Sequence, residues 1–165
     1  MNNLPAWNKR PTEVANLLNP AYFSMLINKV CEGYNSEAKD DLPYALAFIT
    51  LPLILYPDYL EVLPKTSRTR LHIWAQQNPE ILYDFAKRAR ALAPHIREAI
   101  SFGALHEVIQ LTETGKILSQ PLKRAKSLVD SDSPRATAKQ AYVIGKIFGQ
   151  VNDVPTLFAI FGACP

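Results

Sequence analysis

The chain has 165 residues, of which 48% are apolar and 20% charged, and a formal net charge of +3. That length suits one domain with a single core, and a composition without long polar or repetitive tracts excludes an intrinsically disordered protein. The most apolar stretch, Leu42 to Tyr56, is too short to span a bilayer comfortably and carries Pro43 and Pro52, which excludes a membrane anchor there.

The opening Met-Asn-Asn-Leu-Pro-Ala-Trp has no basic segment followed by an apolar run, which argues against export and for the cytoplasm. Cys31 and Cys164 make no metal spacing and are expected as reduced thiols, Cys31 in the core. Thirteen prolines stand against six glycines, and Pro11, Pro20, Pro79, Pro94 and Pro134 stand where helices would start. Short helices and abrupt turns follow.

In chain order, Arg10-Pro11-Thr12-Glu13 starts a short helix through Leu18. Asn19-Pro20 caps and opens another, with Phe23, Leu26, Ile27, Val30, Cys31 and Tyr34 on its apolar face. Asp40 or Asp41 then caps Leu42–Tyr56, which reads as a kinked helix, apolar on nearly every side. Such a helix is buried either by its own chain or by a partner. Ser67 is expected to cap a helix to about residue 78, and Asn78-Pro79-Glu80 to start the next over 79–92. Phe85 and Ala89 face inward on it, while Asp84, Lys87, Arg88 and Arg90 face out. Pro94 is expected to open a third helix to about His106, with Ala99, Ile100 and Leu105 on its apolar side.

Val108 to Leu111 then reads as a strand, Thr112-Glu113-Thr114-Gly115 as a turn with Gly115 at positive φ, and Lys116 to Leu118 as the returning strand. Three helices followed by a hairpin is the order of a winged helix. A hairpin that merely covers the core fits the same residues. Ser131-Asp132-Ser133-Pro134 signals a helix to about Gln150, on which Ala138, Ala141 and Gly145 let another element approach closely. The apolar tail, with Leu157, Phe158, Ile160 and Phe161, is expected to dock as a strand against this chain or a partner. The fold class is therefore mainly α, a helical domain with a winged-helix-like element and a small β-hairpin. Residues 1–165 form one domain: a helical part over 1–60, a winged-helix-like part over 65–120, and a C-terminal helix with its tail over 133–165.

Charge is unevenly spread, with 4 basic and 6 acidic side chains in residues 1–60, 11 and 6 in 61–126, and 3 and 3 in 127–165. The middle third carries the excess. Candidate contacts to DNA or to an acidic partner are Arg68, Arg70, Lys87, Arg88, Arg90, Arg97, Lys116, Lys123 and Arg124. A solvated face that keeps the chain soluble is the other reading of the same charges. Arg97 can read guanine or grip phosphate, yet a helix with so few donors suits nonspecific phosphate or protein contact better than sequence readout. Candidate protein-interface residues are Leu51, Leu53, Leu157, Phe158 and Phe161. His72, His95 and His106 sit on separate segments, and no phosphate loop or nucleophile elbow occurs, so neither an enzyme nor a metal or cofactor is expected.

A set of ordered motifs remains: Trp7, Arg10-Pro11-x-Glu13-x-Ala15-x-Leu17-Leu18-Asn19-Pro20-Ala21-Tyr22, Leu51-Pro52-Leu53, Trp74 with Asn78-Pro79, Arg97-Glu98-Ala99 with Phe102-Gly103, and a Phe161-Gly162 close. Together they resemble the middle component of three-component ABC systems, the group that includes the small subunit of Lamassu-type anti-phage defence. The close Ala163-Cys164-Pro165 departs from the valine-arginine-proline expected there. The resemblance implies a non-catalytic subunit linking an ABC ATPase of the structural-maintenance-of-chromosomes (SMC) or Rad50-like kind to an effector, often a nuclease, with its basic helices near DNA. It also implies that the hairpin is a docking element rather than a DNA-reading wing. The alternative is a free-standing winged-helix DNA-binding transcriptional regulator.

Overall fold

A short α1 (Thr12–Leu17) leads into Asn19-Pro20, which starts the helix on which much of the fold is packed. In the computed structural model, which describes residues 4–56, 59, 61–122 and 132–163 (side chains from 135 in the last stretch), the Asn19 side chain accepts hydrogen bonds from the N–H groups of Ala21 (2.9 Å) and Tyr22 (3.4 Å). Pro20 fills the first turn, so α2 (Pro20–Ala38) begins with its orphan donors satisfied. It ends at Lys39, in the left-handed conformation at φ 56°.

The apolar stretch after α2 is not one helix. Leu42–Pro43 is a strand, β1, followed by a 3-10 turn (Tyr44–Leu46) and then α3 (Ala47–Ile54), with Pro52 inside it. The reason is tertiary: β1 pairs with a later strand, and the Tyr44 N–H donates to the Gly115 carbonyl at 3.0 Å. Asp40 consequently caps no helix and instead pairs with Lys116. Ala47, Ile49, Leu51, Leu53 and Ile54 are all buried in this chain's own core.

The next helices divide differently from the sequence expectation of 67–78, 79–92 and 94–106. α4 is Leu71–Gln77, α5 only Pro79–Leu82, and α6 runs Phe85–Leu105. Ser67 lies in a turn before α4 and caps nothing. The break comes at Asp84, left-handed at φ 57°, which turns the chain between α5 and α6. Pro94 sits inside α6 instead of opening a helix. Its missing N–H leaves only the carbonyl of Arg90 without a helical donor, and Arg90 is solvent-exposed, so the helix passes through.

β2 (Ile109–Leu111) and β3 (Lys116–Ser119) form the expected hairpin, with Gly115 at φ 73°. The sheet has three strands, in the order β1-β3-β2, all antiparallel. The fully buried Asn28 of α2 fixes the base of the hairpin, donating to the carbonyls of Val108 (2.8 Å) and Gln120 (2.9 Å). The third strand comes from outside the 65–120 stretch, so the hairpin is fastened to the N-terminal half rather than projecting as a free wing.

α7 (Asp132–Val151) packs along α2 in the most extensive helix pair of the fold. Gly33 on α2 faces the Tyr142 carbonyl, and Gly145 on α7 faces the Val30 carbonyl, so closely that a Cβ at either position would overlap backbone. The small-residue face expected on this helix is thus its contact with α2. The tail is a helix, α8 (Val154–Ile160), not a strand. Asp153 caps its start, accepting from the Thr156 N–H at 2.9 Å. Gly162 at φ 59° closes its end: its N–H donates to Ala159 and that of Ala163 to Phe158, the Schellman arrangement. Phe161 packs between Phe85 and Phe148, at 4.9 and 5.9 Å between ring centres. The architecture is mainly α with one small antiparallel sheet.

Candidate interaction surfaces

The motifs that stood far apart in the sequence converge on one clamp. Arg10 donates to both carboxylate oxygens of Glu98 on α6, at 2.8 and 2.6 Å, and through Nε to the Pro5 carbonyl at 2.9 Å. Its guanidinium also lies 5.3 Å from the centre of the Trp7 ring. The Arg10 side chain is only 4% exposed, and the bond to Glu98 outweighs that burial, raising its proton affinity above the ordinary arginine value. His95, one turn before Glu98, is half-buried beside the pair, and its Nδ1 is buried without a hydrogen-bond partner among the described residues. Burial first, and Arg10 second, hold its pKa below the ordinary histidine value, with Glu98 pulling the other way.

The basic residues singled out in the sequence meet different fates. Lys87, Arg90 and Arg97 are exposed on α6, Arg97 with its guanidinium 5.7 Å from the centre of the Phe48 ring. Arg68 and Arg70 are exposed on the connector before α4. Arg88 is turned inward: it donates to the carbonyls of Tyr83 (2.9 Å) and Ile81 (2.8 Å) and covers the Tyr56 and Tyr59 rings. It braces the turn between α5 and α6 and does not stand with the outward cations. Lys116 grips both oxygens of Asp40, at 2.7 and 2.6 Å, which holds that carboxyl below the usual carboxylate range. Lys123 and Arg124 lie outside the described residues.

The five residues expected at a protein interface, Leu51, Leu53, Leu157, Phe158 and Phe161, are instead core residues of this chain, each at most 4% exposed. Uniform apolarity made them read as uncovered, but α3 and α8 are covered from within. The exposed apolar side chains lie elsewhere. Leu105, read as an inward residue of its helix, is 80% exposed at the end of α6, and Leu111 is 45% exposed on β2. Leu111, together with the chain neighbours of Leu105, Ala104 and His106, borders an open groove of about 910 Å³ between the start of α2, the end of α6 and β2, lined also by Met25, Phe102, Val108 and Ile109.

β2 is the edge of the sheet on that side. The Gln120 N–H donates to Val108 and the Thr112 N–H to Lys116, so the alternation of an antiparallel ladder turns the N–H and C=O of Ile109 and Leu111 away from β3. No feature of the isolated sequence marked this groove, because it is made by three segments that only the fold brings together. Period-two alternation across Ile109, Gln110 and Leu111 was the single local signal.

Among the described residues, no group of three or more His, Cys, Asp or Glu side chains is placed to hold a metal ion, and no helix is long and apolar enough to cross a membrane. Cys31 is buried in the core, where burial pushes its thiol pKa up. Cys164 lies outside the described residues.

Fold and surfaces together define a mainly α protein with an edge-strand groove and exposed cations on two separate elements. Residues 7–165 match the family model described as ABC-three component (ABC-3C) system Middle Component 3. The match covers nearly the whole chain, and the protein belongs to this family of middle components. Comparison with curated proteins and with solved structures found no match.

Proposed function

We propose that this middle component is the bridging, non-catalytic subunit of a Lamassu-type anti-phage defence complex, working in the cytoplasm. It links an SMC- or Rad50-like ABC ATPase to an effector, a nuclease, and catalysis belongs to those partners. The observation that carries the reading is the apolar groove beside the edge of β2, which has no strand partner on that side among the described residues. Such an edge accepts an extended segment by strand addition, main-chain bonds giving affinity and the groove taking alternate side chains. Membership of a middle-component family supports partners drawn from the other components of an ABC three-component system. The exposed cations Lys87, Arg90 and Arg97 on α6 face DNA held by the ATPase, and contact phosphate without reading sequence.

Affinity purification of the tagged chain from native extract tests the bridge. The ATPase and the effector are expected to co-purify, and the exposed substitutions Leu105→Glu with Leu111→Glu should release at least one of them without lowering thermal stability. Recovery of the wild-type chain as a clean monomer would sink the proposal. Tight, sequence-selective binding of a duplex by that monomer would establish the free-standing regulator instead.

A further inference from the structure

The connector before α4 reads Lys65-Thr66-Ser67-Arg68-Thr69-Arg70: three cations, three hydroxyls and no acid. No acidic residue occurs between Glu61 and Glu80. Both ends of the segment are anchored. Leu63 and Leu71 are buried, the Trp74 indole N–H donates to the Val62 carbonyl at 2.8 Å, and Gln140 of α7 donates to the Pro64 carbonyl at 2.7 Å. Between those anchors Lys65, Thr66, Arg68 and Arg70 are exposed and Ser67 and Thr69 half-buried, and none of the six side chains has a hydrogen bond or ion pair with the described chain.

Five cations elsewhere in the fold are committed, in contrast to this cluster. Arg10, Lys29, Lys116 and Lys146 pair with carboxylates, and Arg88 is committed to carbonyls. The Gln140 bond also brings α7 to the segment. Arg135 and Lys139, one helical turn apart and both exposed, stand on that helix within five residues of Gln140, again without a partner among the described residues.

From this we infer that Lys65–Arg70, continued by Arg135 and Lys139, is a binding surface for the phosphodiester backbone of nucleic acid. Phosphate oxygens take hydrogen bonds from lysine, arginine, serine and threonine side chains, the very set displayed here. An acidic protein partner fits less well. The cores of protein interfaces favour aromatic anchors and are depleted in lysine and serine, whereas nucleic-acid interfaces are polar and strongly cationic. The segment holds no aromatic or long aliphatic side chain. The contact is independent of sequence, because nothing in the segment reaches a base edge in preference to a phosphate. It is a surface distinct from α6, and it stands or falls apart from the bridging role.

The test is a salt titration of binding to a short labelled DNA duplex, with a duplex RNA of the same sequence in parallel, using the full chain alone and in its purified complex. The variant K65Q/R68Q/R70Q should bind about tenfold or more weakly near physiological salt, with a log–log salt slope reduced by roughly 2 to 3. R135Q/K139Q, on a different element, should reduce the slope by about 1 to 2. T66A/S67A/T69A should weaken binding while leaving the slope unchanged. Loss with both duplexes marks backbone recognition in general, and loss with one of them assigns the source. The proposal is overturned if the wild-type chain binds neither duplex even at low salt, or if K65Q/R68Q/R70Q keeps both affinity and slope. It is also overturned if that variant binds nucleic acid normally but loses a protein subunit on purification. Failure of the bridge would show separately, as a wild-type chain that purifies alone yet still binds the duplex.

Discussion

Arg10 and Glu98, separated by 88 positions in the chain, meet in paired hydrogen bonds of 2.8 and 2.6 Å. The pair ties the segment before α1 to α6, and it compensates the carboxylate that adjoins the exposed Arg97 in the chain. Truncating Arg10 to Ala leaves a half-buried carboxylate uncompensated and is expected to cost about 2 kcal/mol in urea unfolding. Arg10→Lys should recover only part of that, since an ammonium cannot reproduce the fork. A double-mutant cycle with Glu98→Ala should give a coupling of about 1 to 2 kcal/mol. Strictly additive single variants would show that the pair contributes shape and not interaction.

His95 beside this pair gives the molecule a pH dependence in the mildly acid range. Its folded pKa lies below the unfolded value near 6.5, chiefly through burial and then through Arg10. Between those two values the unfolded chain binds more protons than the folded one, so stability rises with pH. The contribution is present above about 6.5 and is lost as pH falls through the lower, folded value. His95→Gln should flatten the dependence of the unfolding midpoint on pH below about 6.5. The losses from Glu37, Asp40 and Asp153, whose carboxyls are all held below their ordinary range, should persist at lower pH. An unchanged profile in the variant would remove His95 from the account.

The α2–α7 contact depends on the absence of side chains at Gly33 and Gly145. An alanine at either position places its methyl group on a backbone carbonyl of the opposite helix, which has no rotamer by which to move aside. Each substitution is expected to destabilise by about 3 kcal/mol or more, read as a shift in the urea midpoint. Gly115→Ala is the control, because a methyl there meets nothing and only the left-handed φ of 73° is strained, which costs about 1 kcal/mol. Equal effects at all three sites would mean that backbone conformation, not helix approach, is being measured.

What the sequence made legible was local. Asn19-Pro20 opens α2 through an Asx cap and a proline already at helical φ, and Gly115 turns the hairpin because it accepts positive φ at no steric cost. The small face of α7 was legible from residue size, although its partner was not. Contacts between distant positions decided the rest. Pro94 reads as a helix start until Arg90 is seen to be exposed, with its freed carbonyl on the solvent side. Leu42-Pro43 leaves the helical pattern only because Ile117 and Lys116 wait across the sheet. The tail, seven residues between Asp153 and Phe161, is too short and too apolar for periodicity to separate helix from strand, and its caps decide for helix. The same logic displaced the expected interface. Leu51 and Phe161 are apolar because they are core, while Leu105, the last residue of α6, is exposed.

Lys87, Arg88 and Arg90 form one basic run in the sequence but two kinds of residue in the fold, and stability separates them. Arg88 closes the α5–α6 turn with bonds of 2.9 and 2.8 Å to the carbonyls of Tyr83 and Ile81, and packs on two tyrosine rings. Its Nε is buried without a partner among the described residues, so the site is already demanding, and Arg88→Gln removes the charged donors to both carbonyls at once. A loss of about 2 kcal/mol is expected, together with loosening of the turn at Asp84 seen as faster amide exchange around residues 81–88. Lys87→Gln and Arg90→Gln touch exposed side chains and should change stability by no more than about 0.5 kcal/mol. If α6 lies along DNA in the assembled complex, these two variants should weaken nucleic-acid binding or defence while the complex still forms. Arg88→Gln should weaken them only as far as it lowers the folded population. A loss of nucleic-acid binding by Arg88→Gln at full stability would place that guanidinium on the phosphate and reverse its assignment as a brace.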